Sequence, residues 1–310
     1  MKPQQLQAFV AAAHHGSLRG AARELGLTQP AITRTIHELE SVLNAELMTR
    51  GIRGIELTEC GRTLLPRAEQ LLNDMQRTLE AVEQVKGDLA GRVSVGTMPS
   101  IALTVLPKAA AAFRRAMPLV RLHFQEITVL DAIAQLRTGK IDIAAIRHIP
   151  ELESDLVQMP LYSTKFVIGM RTGHPLENAR RLQDLLDAEW IAPGGYDHFS
   201  HSLLTTMFTA HGLPVPKRVL HAPSSFAVAL GLVSQTDMIG CFTKELATMV
   251  APLGVHVANI EEAMPAYDLG IVSRRDLLPT PAIARFISCL QDAAQKQGID
   301  SGYQPTDAAG

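Results

Sequence analysis

The sequence has only three cysteines and one tryptophan, and no apolar run near the ~18 residues that a membrane span requires. Cys60, Cys241 and Cys289 are odd in number and far apart, which gives neither a disulfide framework nor zinc-ligand spacing and suits a reducing cytoplasm. The opening stretch MKPQQLQAFVAAAHHG is too brief and too interrupted to serve as an export signal. An excess of one charge is lacking too. The formal net charge is -2, and residues 1–90 carry ten Lys and Arg against eleven Asp and Glu. No region is broadly basic, so any nucleic-acid contact must come from a few clustered side chains. Enzymatic signatures are absent as well: there is no G-x-S-x-G, P-loop, G-x-G-x-x-G or H-E-x-x-H. His198 and His201 lie three apart with no Cys or paired acids nearby, so neither a metal nor a cofactor is expected.

What is present fits a globular protein. A chain of 310 residues, 46% hydrophobic and 19% charged, has room for two or three domains with cores of their own. Its first third reads as helix. Leu6, Phe9, Val10 and Ala13 share one helical face, and Gly16 ends it. Ser17 is placed to cap a second helix with apolar positions Leu18, Ala21, Ala22 and Leu25. After the Gly26-Leu27-Thr28 turn, Thr28 caps a third, with Gln29 and Pro30 in its first turn and Ile32, Ile36, Leu39 and Leu43 as its buried stripe. Two short helices across a glycine turn have the helix-turn-helix layout. The opposite face of the third helix carries Gln29, Thr33, Arg34 and His37, residue types that bond to base edges and phosphates. A small helical bundle with a solvated polar face satisfies the same periodicity.

Arg50 and Arg53 then sit around Gly51 and Gly54, before a short alternating strand at 55–57. Beside a helix-turn-helix such a loop can act as a wing reaching the minor groove, although a solvated turn reads the same way. Residues 58–89 read as one long helix. Leu64, Ala68, Leu71, Met75, Leu79, Val82 and Val85 approximate a heptad seam, and Pro66 is expected to kink the helix or mark its true start. The seam suggests dimerisation; a helix packed on its own chain is the alternative. After Gly91 the pattern turns to α/β. Strands are expected at 92–96, 120–126, 141–146, 166–170, 219–221, 238–242, 255–258 and 269–273. Helices are expected at 99–116 with an interruption at Pro107, and at 131–137, 200–210, 226–234 and 282–297. That alternation implies a mainly parallel sheet, followed by a disordered tail at 298–310.

Residues 16–61 resemble the DNA-binding domain of LysR-type transcriptional regulators. The pattern is carried by Gly16-Ser17-Leu18, Ala21-Ala22, Leu27-Thr28-Gln29-Pro30-Ala31, Ile36, Leu39-Glu40, Leu43, Leu47, Arg50, Leu57-Thr58 and Gly61. Farther along, RVSVGTMPS, LRTGKIDIAAIR and GLVSQTDMIG look like landmarks of the same family's effector region. Met48 and Cys60 depart from the commoner phenylalanine and alanine and read as packing variants.

The resemblance implies a multidomain chain: an all-α winged helix-turn-helix (1–60), a long linker helix (61–90), and an α/β effector domain of two lobes like periplasmic binding proteins. Lobe one would be 91–164 with 268–297 and lobe two 165–267, joined by strands crossing near 162–166 and 267–271. It further implies a homodimer, commonly a dimer of dimers, on an interrupted palindromic operator in double-stranded DNA, with RNA polymerase as a further partner. The expected DNA contacts are Ser17, Thr28, Gln29, Pro30, Ala31, Thr33 and Arg34, with Arg50 and Arg53 in the wing.

The effector is expected between the lobes. Thr97, Met98, Pro99 and Ser100 open a helix after the first strand, a favourable place for an anion. Ser100 and Thr128 match hydroxyl positions that the family turns toward its ligand. Arg147 and His148 end the third strand, and Arg147 would partner a carboxylate. The segment Tyr196-Asp197-His198-Phe199-Ser200-His201 and Phe226 would supply the second wall, whose rings suit a flat ligand such as an aromatic or other organic acid. Each contact has a plainer reading, as a surface ion pair or a solvated loop side chain. An enzyme, or a transport receptor on the same two-lobe plan, fits less well, given the missing motifs and the helical N-terminal segment.

Overall fold

Small hydroxyls and left-handed glycines set the boundaries of the first helices. In the computed structural model, which describes residues 1–51, 54–86, 91–193, 198–222 and 225–296, α1 (Pro3–His15) ends at Gly16 with φ +57°. Ser17 Oγ accepts from the Gly20 N–H at 3.3 Å and starts α2 (Leu18–Leu25), which Gly26 closes at φ +65°. Thr28 Oγ1 accepts from the Ala31 N–H at 3.4 Å and starts α3 (Gln29–Leu43). Ala8, Ala11, Ala12, Ala21 and Ala22 let the three helices close on Ile32 and Ile36. Leu43 departs from expectation and is exposed. The stripe ends at Leu39 because Asn44 turns left-handed and Glu40 takes over, its Oε1 accepting from the N–H groups of Leu47 (2.8 Å) and Met48 (3.4 Å).

Strands β1 (Met48–Gly51) and β2 (Gly54–Leu57) pair antiparallel as a hairpin. Only the second was legible, since Met-Thr-Arg-Gly has no alternation. The Ile55 N–H donates to the Gly16 carbonyl at 2.9 Å, which ties the hairpin to the α1–α2 turn. Thr58 caps α4 (Glu59–Val85), accepting from the Gly61 N–H at 3.0 Å. Gly61 is required by close approach, because a Cβ there would sit 2.1 Å from the Leu47 carbonyl oxygen. Pro66 lies inside α4 and does not mark its start, and Cys60 is exposed, so it is no packing variant. The seam divides. Ala68 is buried with Leu6, Phe9, Leu39 and Leu47, whereas Leu71, Met75, Leu79, Val82 and Val85 are exposed.

The rest of the chain builds one mixed sheet. Its elements are β3 (Gly91–Thr97), α5 (Pro99–Ala102), α6 (Val105–Ala116), β4 (Val120–Glu126), α7 (Val129–Arg137), β5 (Ile143–Arg147), β6 (Leu156–Arg171), β7 (Glu189–Pro193) and α8 (His198–Thr209). They continue with β8 (Val219–Ala222), α9 (Phe226–Gln235), β9 (Met238–Thr243), α10 (Lys244–Val250), β10 (Val255–Val257), β11 (Ala266–Arg274) and α11 (Pro281–Gln295). The strand order is β4-β3-β5-β11-β6-β9-β7-β8, with β10 also on β6. Pairings of β3 with β5 and of β7 with β8 and β9 are parallel, but β6 and β11 run antiparallel to each other and to their outer neighbours. The sheet is therefore less parallel than the sequence suggested. The break in the expected 99–116 helix falls at Leu103–Thr104; Pro107 sits in the first turn of α6, where it forfeits no hydrogen bond.

Two cores flank the long strands. Val93, Val95, Phe113, Ile143, Ile271 and Phe286 belong to one, and Ile168, Trp190, Met207, Phe208 and Ile239 to the other. The tail at 298–310, Arg53, Tyr196 and Asp197 fall outside the described residues, as do the side chains of Arg50 and of His198, Phe199, Ser200 and His201.

By Cα packing the chain forms two units, Met1–Gly91 with Ile133–Asp142, and Arg92–Ala132 with the chain from Ile143 onward. Within the first, Arg77 on α4 is buried and fully engaged. Its Nε donates to Asp142 at 2.7 Å, Nη1 to Asp74 at 2.9 Å, and Nη2 to the carbonyls of Gly139 (2.8 Å) and Ile141 (3.3 Å). Asn73 adds a bond to the Thr138 carbonyl at 2.8 Å. Removing one partner of a buried ion pair costs about 3–5 kcal/mol. Arg77→Met is therefore expected to lower unfolding stability by about 3 kcal/mol in urea titration. A loss below about 1 kcal/mol would mean that the pair contributes only as much as a solvent-exposed one.

Candidate nucleic-acid interface and effector site

The exposed face of α3 is a shallow open groove lined by Gln29, Pro30, Thr33, Arg34 and His37. Ile32, Ile36 and Leu39 pack inward from the same helix, so burial of that stripe fixes which side chains face out. Thr33 Oγ1 donates to the Gln29 carbonyl at 3.0 Å, leaving its lone pairs outward. Arg34 is 83% exposed and its Nε rests on Glu38 Oε1 at 3.1 Å. Such an exposed i,i+4 pair is worth only ~0.3–0.5 kcal/mol, so a stronger partner takes the guanidinium easily. Thr28 spends its lone pair on the helix N-terminus and keeps its hydroxyl proton to give. Ala31 lies half-buried beside this face and Ser17 half-buried at the cap of α2. Arg50 is on β1, in the hairpin whose second strand is anchored to Gly16. Sequence reasoning quoted Glu40 only as part of the family pattern and gave it no role: its carboxylate bonds the hairpin's first backbone N–H and also His37 Nδ1, at 3.0 Å. A glutamate directly after the buried Leu39 was the available signal.

The candidate effector residues gather where β3, β4 and β5 end. The Ile127 N–H donates to the Thr97 carbonyl at 3.1 Å and the Met98 N–H to the Ala145 carbonyl at 3.2 Å. These bonds align the segment Thr97-Met98-Pro99-Ser100 between Thr128 and Arg147. Ser100 is 5% exposed, and its Oγ has no hydrogen-bond partner among the described residues. Thr128 starts α7, with Oγ1 donating to Asp131 at 2.7 Å. Arg147 is half-buried and its Nη1 donates to the His148 carbonyl at 3.4 Å. His148 is differently placed. The Gln158 amide donates to its Nδ1 and its backbone N–H donates to the Asp268 carbonyl at 2.7 Å, so its ring is engaged by β6. Helix α5 has four residues, which weakens the anion-favouring dipole expected behind Ser100.

Phe226 opens α9, its ring edge-to-face with Phe242 at 6.2 Å and its N–H donating to Glu126 Oε1 at 3.2 Å. Its ring thus packs, half-buried, against a further cluster of Ile191, Val233, Phe242 and Leu246, which engages one side of the ring expected to face the ligand. No sequence pattern marks the polar chain along β6. Thr104 Oγ1 and Tyr162 Oη both donate to the Ser100 carbonyl, the latter at 3.4 Å. Two residues on, Thr164 Oγ1 donates to Glu245 Oε2 of α10 at 2.6 Å. Burial pushes the Tyr162 phenol well above its usual range; the Thr104 bond opposes this and the Glu245 charge adds to it. Burial likewise pushes the Cys241 thiol up to about 12, so it holds no thiolate nucleophile.

Comparison with known proteins agrees with this geometry. Residues 3–62 match the family described as "Bacterial regulatory helix-turn-helix protein, lysR family", and residues 86–295 the "LysR substrate binding domain". The chain is 29% identical over 300 residues to the HTH-type transcriptional regulator GalR of Pseudomonas putida, covering 94% of this chain and 74% of that one. It is 27% identical over 313 residues to the regulator PcaQ of Agrobacterium fabrum, covering 95% of each. In fold it resembles the crystal structure of CbnR, a LysR family regulator, with TM-score 0.70, 21% identity and coverage of 95% and 99%. A helix-turn-helix with its outer face open, followed along the chain by a two-core α/β domain, and the two family matches make this chain a member of the LysR family of DNA-binding, effector-controlled transcriptional regulators.

Proposed function

We propose that this regulator reads an interrupted palindromic operator as a homodimer in the cytoplasm and answers to a small organic effector bound between its lobes. The groove on α3 carries the reading: a helix with one buried stripe offers Gln29, Pro30, Thr33, Arg34 and His37 together on its outer face. Gln29 and Arg34 reach base edges, Pro30 and Ala31 contact a thymine methyl, and Thr28 and Ser17 bind phosphate through hydroxyls at helix N-termini. Arg50 and Arg53 serve as wing contacts. A solved LysR-family neighbour, full-length CbnR in complex with its target DNA, supports this use of the fold. The exposed Leu71, Met75, Leu79, Val82 and Val85 of α4 form the dimer seam, and a dimer of dimers and contact with RNA polymerase follow as extensions of it. In the effector domain Thr97–Ser100, Thr128 and Arg147 form one wall, and His198–His201 the other.

Three outcomes test this reading. Gln29→Ala and Arg34→Ala are each expected to weaken specific operator binding by about 1–3 kcal/mol per base contact, measured by gel shift, with no loss of thermal stability. Unchanged affinity in both would sink the assignment of α3. Leu79→Glu with Val82→Glu is expected to convert the protein to monomer in sedimentation velocity while its circular dichroism is retained; a persisting dimer removes α4 as the seam. Ser100→Val combined with Thr128→Val is expected to abolish release or remodelling of operator complexes by inducer while basal DNA binding persists. An intact response places the effector elsewhere.

A further inference from the structure

Glu245 stands where the polar chain along β6 reaches α10, and it brings an acceptor to the effector domain. Its half-buried carboxylate receives one hydrogen bond from Thr164 Oγ1. Among the described residues no Lys, Arg or His comes within ion-pair distance of it. Tyr162, Thr164 and Phe166 alternate onto one face of β6, and Thr243 pairs directly with Phe166, so its side chain shares that face. Thr243 is 4% exposed; its hydroxyl does not cap α10 and has no partner among the described residues. Ser100, at the other end of the Tyr162 contact, is in the same condition. One face of the effector domain therefore holds two buried hydroxyls with unused bonding capacity and a carboxylate able only to accept.

An incoming carboxylate would meet Glu245 as a like charge. An ammonium would satisfy Glu245 but has no acceptor to offer Ser100 and Thr243. Hydroxyl groups on a carbon skeleton do both, donating to the carboxylate and exchanging bonds with the serine and threonine. We propose that the effector carries a polyhydroxylated end seated against Glu245, Thr243 and Ser100, and that Glu245 selects hydroxylated effectors over their deoxy counterparts. This rests on the reading of the inter-lobe cleft as the effector site. Any acidic group of the ligand is then left to pair with Arg147.

The test uses the full-length protein, thermal shift and operator gel shift, with acids paired by skeleton: hexanoate with gluconate, succinate with tartrate, and cyclohexanecarboxylate with quinate. 6-Aminohexanoate supplies the ammonium arm. The hydroxylated member of at least one pair is expected to act at a concentration at least tenfold below its deoxy partner. Glu245→Gln and Thr243→Val, whose unliganded melting temperatures show that each is folded, are each expected to bring that ratio below threefold. Equal or better binding of the deoxy acids or of 6-aminohexanoate overturns the proposal. So does a panel in which no hydroxylated member binds, or a preference that survives Glu245→Gln. If Ser100→Val abolishes binding but no hydroxyl preference exists, the cleft stands and the ligand class falls. If binding survives both Ser100→Val and Glu245→Gln, the cleft itself is wrong.

Discussion

The pairing of β6 with β11 is the constraint on which the effector domain depends. Ala266–Arg274 runs antiparallel to Leu156–Lys165, and β6 then continues to bond β9 and β10. One strand of sixteen residues thus belongs to both cores, so the two lobes share a backbone ladder. Because side chains alternate with period two, a one-residue slip would turn Tyr162, Thr164 and Phe166 to the opposite face together. Register is guarded by packing at glycines: a Cβ on Gly270 would lie 2.8 Å from the Met159 carbonyl, and one on Gly169 2.6 Å from the Phe242 ring.

The DNA-reading unit solves a different problem, that of binding a polyanion with almost no net positive charge. Residues 1–90 are nearly balanced, so attraction to phosphate is local and short in range at cellular salt. The free protein keeps Arg34 on Glu38 and His37 on Glu40, both exposed at the basic partner. Exchanging those weak contacts for base edges would sacrifice little, and in the dimer proposed above their doubling would restore affinity without a broadly basic surface. Specificity then weighs more than general attraction to DNA.

The helix-turn-helix was legible because its signals are local. Caps at Ser17 and Thr28, left-handed glycines at 16 and 26, and the 3.6-residue apolar period each act within one or two turns. Less of the effector domain was legible. The strand β7, Glu189–Pro193, carries one buried Trp and a Pro and has no alternation, so its strand character comes from pairing with β8 and β9. The seam of α4 was read as uniform, yet Ala68 packs on Leu6 and Phe9 while Leu79 does not, a division set by contacts with α1 far away in sequence. His148 illustrates the same limit. A histidine at a strand end reads as a ligand contact until Gln158, ten residues later on β6, proves to hold its ring. Glu245 and Thr243 carried no signal at all, because their meaning arises only when β9 lies beside β6.

Buried polar groups in this molecule fall into two kinds, and the contrast bears on how an effector acts. Arg77 directs four hydrogen bonds to Asp74, Asp142 and the carbonyls of Gly139 and Ile141, and behaves as a finished structural joint. Ser100 and Thr243 are as deeply buried, yet their hydroxyl oxygens have no partner among the described residues. A buried hydroxyl without a partner costs ~1–3 kcal/mol relative to a satisfied one, so the unliganded domain holds that much stabilisation in reserve at each site. A ligand that completes both bonds recovers it and lowers the free energy of whichever lobe arrangement brings Ser100 and Thr243 to it together. On the proposal made above, a shift between free and bound forms would follow from differential satisfaction of these hydroxyls and would need no strain elsewhere in the sheet.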